Sequence, residues 1–429
     1  MKKKVLIISY SYPPSNAPAA QRPYAIAKYL DKSKYEVTVV TCSNQDSSMG
    51  LSDSFSPELP NVKLIKVRSI GLGGVRKSKS SSMSKDGSEK PKKYGIKRAL
   101  FKILNWFMFP DKAVFWIPFV LLYTLRNRNS LQSDIVWSTS PLVTNHILAR
   151  FLCFKKKKIK HIADFRDYHS LHNEVNAHGI KGWLHRKIEI FLLKHCNYAT
   201  FISTGMKVEY EKHYPVYAKK FVAIYNGFDP EEFEGSKVIL ETKKLTFFYA
   251  GSFYGGFRSP KPLLLALESL LHLGEISKDD FCIEIAGNIE QNILDDLRTL
   301  AVFDAIRFLG LLQRKEVLKK YKESHVLWSI VSNSISHYTG VPIKFYEYLG
   351  SQRYILNYAK PLSETAVLVE QLDCGWSLPN TENIDEIHLN VLRDIFRRYL
   401  NKSLNDPLVL ENISKFHRST QTFELQQLF

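Results

Sequence analysis

Cysteine is sparse in this chain: five residues in 429 (Cys42, Cys153, Cys196, Cys282 and Cys374), with no Cys-x-x-Cys pair. That scatter suggests neither a disulfide framework nor a zinc site, and it fits a reducing compartment. No Gly-x-Gly-x-x-Gly loop follows the first strand, so a dinucleotide cofactor is not indicated. No Asp-x-Asp stands between a strand and a helix, so nothing points to a metal-held diphosphate. Long apolar runs are missing too. Ala113–Leu125 (AVFWIPFVLLYTL) is 13 residues long, too short to span a bilayer. The N-terminal VLII after three lysines breaks at SYSYPP, which is too short for an export signal and reads as a buried parallel strand.

What is present is ordinary in kind and uneven in placement. A chain of 429 residues exceeds one common core and implies two or three domains, and 45% hydrophobic with 24% charged residues is a soluble globular composition. The net charge is +18. Residues 1–235 carry 38 Lys+Arg against 19 Asp+Glu, whereas residues 236–429 carry 22 against 23. A basic half and a neutral half indicate two domains, one of which faces an anionic partner.

Strand and helix patterns alternate from the start. Residues 4–9 (KVLIIS) form a strand, Tyr10–Ala20 a loop, Gln21–Leu30 a helix and Glu36–Thr41 a second strand, a βαβ unit of a doubly wound parallel sheet. The loop thus lies at a strand's carboxyl end, where such sheets bind ligands, and Arg22 at the helix start is placed to reach a phosphate. Residues 71–93 are Ser-, Gly- and Lys-rich and are expected to be disordered. Residues 76–102 hold ten Lys/Arg and two acids, and 94–125 interleaves Lys97, Arg98 and Lys102 with Phe101, Trp106, Phe107 and Phe109. That is the pattern of an interfacial membrane anchor, and no nucleic-acid module accompanies the charge. A core helix behind a solvated loop is the alternative.

After the strand Ile159–Ala163 comes Asp164-Phe165-Arg166-Asp167-Tyr168-His169. Charges crowding the end of a buried strand are costly unless paired or functional. The cluster is either a structural Asp–Arg pair or a site where one carboxylate orients or deprotonates an acceptor hydroxyl. Asn226-Gly227-Phe228-Asp229-Pro230 makes a turn with an Asn-Gly suited to positive φ, and the domain boundary is set just after it. The pattern then restarts. Thr246–Tyr249 ends at Ala250-Gly251-Ser252, followed by Gly255, Gly256, Arg258 and Lys261. Gly251 admits a phosphate to the backbone, and Arg258 or Lys261 is placed to pair with it. Asp406–Phe429 reads as a final helix outside the alternation.

The densest stretch is Tyr338–Gly350, YTGVPIKFYEYLG. Pro342 suits a helix start, whose free N–H groups together with Lys344 form a phosphate seat. Glu347 follows on the same helix face, one turn on, where a carboxylate can accept from two sugar hydroxyls. Phosphate at one end and a diol at the other describe a nucleoside diphosphate. An exposed Lys–Glu ion pair is the plainer alternative.

Taken together, SYSYPP, EVTVVT, the DFRD cluster, the NGFD turn, AGSFY and VPIKFYEYLG resemble the GT-B glycosyltransferases, close to the large family four of retaining enzymes. The combination of DFRD with P-x-K-x-x-EYL is similar to members that build bacterial capsule, lipopolysaccharide or exopolysaccharide. The resemblance implies an α/β protein of two Rossmann-like domains, their parallel sheets facing across a cleft: an acceptor-binding domain over 1–232, a nucleotide-sugar-binding domain over 236–405, and a helix over 406–429 returning to the first. It implies donor binding by Gly251, Ser252, Arg258, Lys261, Thr339, Gly340, Lys344 and Glu347, with Glu347 holding the ribose. Ser15, Asn16, Arg22, Arg166 and His169 would lie on the acceptor side, with Asp164 or Asp167 as the catalytic carboxylate beside Glu347. No metal and no cofactor beyond the nucleotide-diphosphate sugar are expected.

The implied enzyme is a retaining hexosyltransferase with a lipid-diphosphate-linked or saccharide acceptor, peripheral on the cytoplasmic face of an anionic membrane. The sequence departs from the family at Thr339, where a glutamate is usual, and in the first loop, where Asn16-Ala17-Pro18-Ala19 replaces a glycine pair. A nucleotide-sugar epimerase on the same fold and an inactive membrane-bound scaffold are the two alternatives.

Overall fold

The computed structural model describes residues 2–15, 17–45, 58–70, 108–127, 130–154, 158–172, 179–234, 240 and 243–429. The chain divides into two compact units. The first comprises Met1–Thr200, Val216–Val222 and Gln426–Phe429, and the second Phe201–Pro215 and Ala223–Leu425.

The first unit is built on a seven-stranded sheet in the order β3-β2-β1-β4-β5-β6-β7. Its strands are β1 (Lys3–Ile8), β2 (Tyr35–Cys42), β3 (Val62–Val67), β4 (Ile135–Thr139), β5 (Lys160–Phe165), β6 (Tyr198–Phe201) and β7 (Phe221–Ala223). The pairings from β3 through β5 are parallel, with Val5 opposite Val37 and Ile135, and Thr139 opposite Asp164. Parallel strands are covered on both faces, which is why VLII and IVWST are apolar without alternation and wholly buried. Helices α1 (Pro18–Tyr29), α2 (Ile117–Arg126), α3 (Thr144–Leu152) and α4 (Gly179–His195) cover the sheet.

Residues 71–107, which include the expected disordered insert and most of the expected membrane segment, lie outside the described residues. The rest of that segment is partly core. Trp116 is fully buried, its Nε1 donates to the Val67 carbonyl at 3.1 Å, and Val120 packs beside it in one cluster with Leu148 and Leu152 of α3. Among the described residues no helix is long and apolar enough to cross a membrane.

The second unit repeats the plan with six strands in the order β10-β9-β8-β11-β12-β13. They are β8 (Leu245–Ala250), β9 (Phe281–Ala286), β10 (Ile306–Gly310), β11 (Val326–Ile330), β12 (Tyr354–Tyr358) and β13 (Gly375–Leu378), all parallel. The helices are α5 (Thr204–His213), α6 (Lys261–His272), α7 (Gln291–Leu297), α8 (Arg314–Lys322), α9 (Ile335–Tyr338), α10 (Ile343–Ser351), α11 (Glu364–Gln371), α12 (Glu386–Leu400) and α13 (Arg418–Gln426). In both sheets the strand order reverses once, between β1 and β4 and between β8 and β11. In open α/β sheets such a reversal is where ligands bind, outside the carboxyl ends of the strands.

Three sequence expectations need correction here. The second unit begins at Phe201 rather than after residue 232, although β7 returns to the first sheet. The last helix is only Arg418–Gln426: Pro407 cannot continue a helix, and Asn412 turns left-handed at φ 58° before a short turn at Ile413–Phe416. The Asn226-Gly227 turn owes its glycine to close approach rather than positive φ. A Cβ at Gly227 would stand 2.3 Å from the Phe416 carbonyl oxygen, and Phe228 N donates to that same oxygen at 3.1 Å. The strands β3, β12 and β13 and the helix α12 complete the two sheets and their cover.

Candidate functional site

In the second unit the candidate site forms where β8 and β11 end. Ala250, the last residue of β8, leads into Gly251 at φ 143°, and β9 leads into Gly287 at φ 139°. A side chain at Gly287 would place its Cβ 2.3 Å from the Gly251 carbonyl oxygen, so the two strand ends meet backbone to backbone. Beside this junction α10 begins at Pro342 with no side chain capping it. Phe345, Tyr346, Tyr348 and Leu349 are buried, so the helix is gripped along its length and its first turn is fixed in place.

Lys344, on that first turn, is part-buried. Its Nζ lies 3.8 Å from the centroid of the Tyr249 ring and 3.4 Å from the Ala250 carbonyl oxygen. A Cβ on Gly251 would be 3.5 Å from the same Nζ, so the glycine leaves the ammonium uncovered by a neighbouring side chain. Burial pushes the Lys344 ammonium well below the ordinary lysine range, the nearby Arg258 guanidinium adds to that, and Glu347 opposes it. Arg258 stacks on the Tyr254 ring at 4.7 Å. Two cations that repel one another, at a glycine strand end and beside open helix N–H groups, make an anion seat.

Glu347 is 6% exposed and is not a solvated ion-pair partner of Lys344. Its Oε1 accepts from Arg314 Nη1 at 2.6 Å, and the Tyr321 hydroxyl lies 3.4 Å from Oε2. Arg314, the first residue of α8, also donates from Nε and Nη2 to the two oxygens of Glu232 at 3.0 and 2.8 Å. Burial works against the Arg314 charge, but Glu347 and Glu232 outweigh it and hold the guanidinium charged. Arg314 therefore sits between two carboxylates and sets the orientation of Glu347.

The remaining donor-side residues divide. Tyr249 OH donates to the Ser252 carbonyl at 3.0 Å, which ties Ser252 to the seat. Lys261 is drawn away: it pairs with Asp296 at 3.2 Å and lies 3.8 Å from Glu382. Thr339 Oγ1 donates to the Ile335 carbonyl at 2.6 Å, while its own carbonyl accepts from Ser203 Oγ at 2.5 Å. Thr339 thus closes α9 and anchors the loop, and its hydroxyl is spent on backbone. Gly340 N donates to the His337 carbonyl at 3.2 Å in the turn that links α9 to α10.

The DFRD cluster of the first unit has a different character. Asp164 is fully buried and accepts four hydrogen bonds: from Arg22 Nε at 2.9 Å, Arg22 Nη2 at 2.8 Å, Thr139 Oγ1 at 2.8 Å and Thr200 Oγ1 at 2.7 Å. Burial alone would raise its carboxyl, but Arg22 and the two hydroxyls outweigh that and hold it below the usual carboxylate range. A carboxylate this fully occupied cannot take a proton from an acceptor, so Asp164 is structural, and Arg22 is its counter-ion rather than a phosphate ligand.

Arg166 donates to the Ala19 and Pro18 carbonyls at 3.1 and 3.3 Å and fixes the start of α1. Ser15 is buried, and its Oγ accepts from Ala17 N at 3.3 Å. His169 Nε2 lies 3.1 Å from His185 Nδ1, and burial pushes both rings down to about 4. Asp167 is exposed, in contrast to the buried Asp164. Asn16 lies outside the described residues.

Sequence reasoning missed Arg314, Glu232, Tyr249 and Tyr321 in the second unit, and Thr139 and Thr200 in the first. Arg314 and Glu347 are 33 positions apart on different helices, and no local periodicity links them. The one available signal was the capping box of α8, formed by Gln313 and Glu316, which places Arg314 at a helix start.

No family model matches the sequence, and no curated protein matches it. Solved structures do match. A sucrose-phosphate synthase from Thermosynechococcus elongatus matches with a TM-score of 0.63 at 12% identity, over 100% of this chain and 98% of its own. An α,α-trehalose-phosphate synthase (UDP-forming) from Burkholderia xenovorans, in complex with glucose-6-phosphate, gives 0.57 at 11% over 99% of both chains. A glycosyltransferase from Rickettsia africae gives 0.56 at 14%, over 100% of this chain and 97% of that one. At these identities the likeness establishes the fold alone, which is GT-B: two Rossmann-like units, each with a parallel sheet.

Proposed function

We propose that the protein is a glycosyltransferase that moves a sugar from a nucleotide-diphosphate donor to a lipid-linked or saccharide acceptor, with retention, in the assembly of a surface polysaccharide. The observation that carries this reading is the Lys344 ammonium beside Gly251, with Arg258 near enough to act on its charge and Glu347 one helical turn beyond. The cations and the open N-terminus of α10 would neutralise the diphosphate as it leaves, without a metal ion. Glu347, oriented by Arg314, would accept from the ribose diol. Solved neighbours of the same fold include a synthase described as UDP-forming, which favours a uridine nucleotide as the first to try. On the acceptor side, Asp167 replaces Asp164 as the carboxylate that would meet a hydroxyl. The place of action would be the cytoplasmic face of a membrane, where a lipid-linked acceptor is reached by a peripheral protein.

A thermal-shift screen of UDP, GDP, ADP and CMP with their sugar conjugates tests the donor half. A nucleotide at about a hundredfold excess over its dissociation constant stabilises the native state by about 2.7 kcal/mol. A shift with one nucleotide that is lost in Lys344→Ala supports the reading, and folded protein that responds to none of them overturns it. An inactive scaffold is the second reading. It is favoured by Thr339, whose hydroxyl is bound to backbone where the family pattern has a carboxylate. Nucleotide binding without turnover, in the presence of an acceptor that other transferases use, would support it.

A further inference from the structure

The surface helix α4 is built the wrong way round for one that meets only water. Its inward stripe is Gly182, His185, Glu189, Leu192 and Leu193, all buried. At helical spacing the opposite stripe is Ile180, Trp183, Lys187, Phe191 and Lys194. A solvated helix carries polar residues there. Here Ile180 is 72%, Trp183 58% and Phe191 46% exposed, and the Lys187 ammonium sits 5.5 Å from the Trp183 ring. Among the described residues of α4 the exposed charges have one sign. The helix has a single acid, Glu189, which is wholly buried and accepts from Ser170 N at 3.4 Å and from Ser170 Oγ. Arg186, Lys187 and Lys194 are exposed, while the one carboxylate of the helix is turned inward.

The neighbouring helix α3, which touches α4, adds to the same composition. Phe151 and Phe154 at its end are 54% and 57% exposed, and the Arg150 guanidinium lies 5.8 Å from the Phe154 ring. No acid occurs in α3.

We propose that the outer face of α4, with the adjoining end of α3, docks onto an anionic lipid bilayer. Aromatic and aliphatic side chains would enter the headgroup boundary, while lysine and arginine stems extend to the lipid phosphates. The charge selects this occupant over a second copy of the chain, because two such faces would set lysine against lysine. The surface extends the transferase reading by naming the residues that hold the protein where a lipid-linked acceptor lies. Its test is independent of nucleotide binding, so either can fail alone.

The full chain is sedimented with vesicles of phosphatidylcholine, and of phosphatidylcholine mixed with phosphatidylglycerol. Binding is expected to the mixed vesicles and to weaken as salt is raised. Trp183→Ser combined with Phe191→Ser should reduce vesicle affinity by about tenfold or more, given the apolar area withdrawn. Lys187→Gln and Lys194→Gln should each reduce it about fivefold. These side chains are exposed, so unfolding temperature and nucleotide-induced shift should stay at wild-type values. Equal sedimentation of variants and wild type overturns the proposal, as does indifference of the wild type to anionic vesicles. A concentration-dependent dimer that the Trp183/Phe191 variant abolishes would also overturn it and assign the face to self-association.

Discussion

The Lys344 ammonium rests 3.8 Å from the centre of the Tyr249 ring, and among the described residues its hydrogen-bond acceptor is a backbone carbonyl, that of Ala250, at 3.4 Å. A lysine so placed is held by a ring face and a weak contact, with Arg258 near enough to repel it. An arriving diphosphate would supply the missing anion. Lys344→Met should therefore weaken nucleotide binding by about tenfold to a hundredfold, the scale of one lost charged hydrogen bond. The proton balance sharpens this prediction. In the free protein the ammonium loses its proton at a lower pH than an ordinary lysine, and a bound anion would raise that pH again. Binding then takes up protons, and affinity falls as pH rises through the interval between the lowered free-state pKa and the raised bound-state one. Calorimetric titrations in buffers of different ionisation heat should show the uptake in wild type and its loss in Lys344→Met.

Arg22 and Asp164 form a buried ion pair at the carboxyl end of the first sheet, closed by Thr139 and Thr200. Removing one partner strands the other charge in the core. Asp164→Ala should destabilise the protein by about 3–5 kcal/mol. Replacing both partners together with apolar residues of similar size should recover much of that loss. Denaturant unfolding reads the difference, and nucleotide-induced shifts in the surviving fold should be unchanged. A variant of normal stability with no turnover would instead return Asp164 to the chemistry.

Two pairs of histidines make the first unit sensitive to acid. Ser138 Oγ lies 2.8 Å from His146 Nδ1 and 2.9 Å from His161 Nε2, and burial pushes both rings down to about 3. The far nitrogens, His146 Nε2 and His161 Nδ1, have no partner among the described residues. His169 and His185 are pushed down to about 4. With the folded values below the unfolded 6.5, the unfolded chain binds more protons. Stability is therefore complete above about pH 6.5 and falls as pH drops toward 4 and then 3, by about 1.4 kcal/mol per pH unit for each histidine. Urea midpoints measured between pH 7.5 and the onset of acid unfolding should follow that direction, more shallowly in His161→Gln. A flat profile would mean that these rings are not held neutral.

The double α/β plan was legible because parallel strands covered on both faces read as unbroken apolar runs, as in VLII and IVWST. Lys344 and Glu347 were legible because both lie on one short helix, where three-residue spacing puts them on one side. What binds Glu347 was not: Arg314 reaches it from a separate helix and is held in turn by Glu232, and only the folded chain brings the three together. The odd concentration of charge at Asp164 was visible, but its partner Arg22 is 142 positions away, so a structural pair and a catalytic group looked alike. The outward stripe of α4 escaped notice for another reason. Apolar residues on both sides of a helix cancel the periodicity that marks an exposed face.

The two ends of the candidate donor site should separate by ligand. Glu347 is held by Arg314 at 2.6 Å, and Arg314 is held in turn by Glu232. This chain of charges ends at the carboxylate expected to meet a ribose, one helical turn from the cations expected to meet phosphate. Inorganic pyrophosphate engages only the cations. Glu347→Ala should leave pyrophosphate affinity near wild type while weakening a nucleoside diphosphate by about tenfold or more, since a bidentate hydrogen bond to a charged acceptor is lost. Lys344→Met should weaken both ligands together. Arg314→Ala should resemble Glu347→Ala in binding and differ from it in stability, because it leaves two part-buried carboxylates facing each other without their cation. Competition binding with the two ligands on the three variants gives six affinities. If Glu347→Ala weakens pyrophosphate as much as the nucleotide, the carboxylate acts on the fold of the loop and not on a sugar diol.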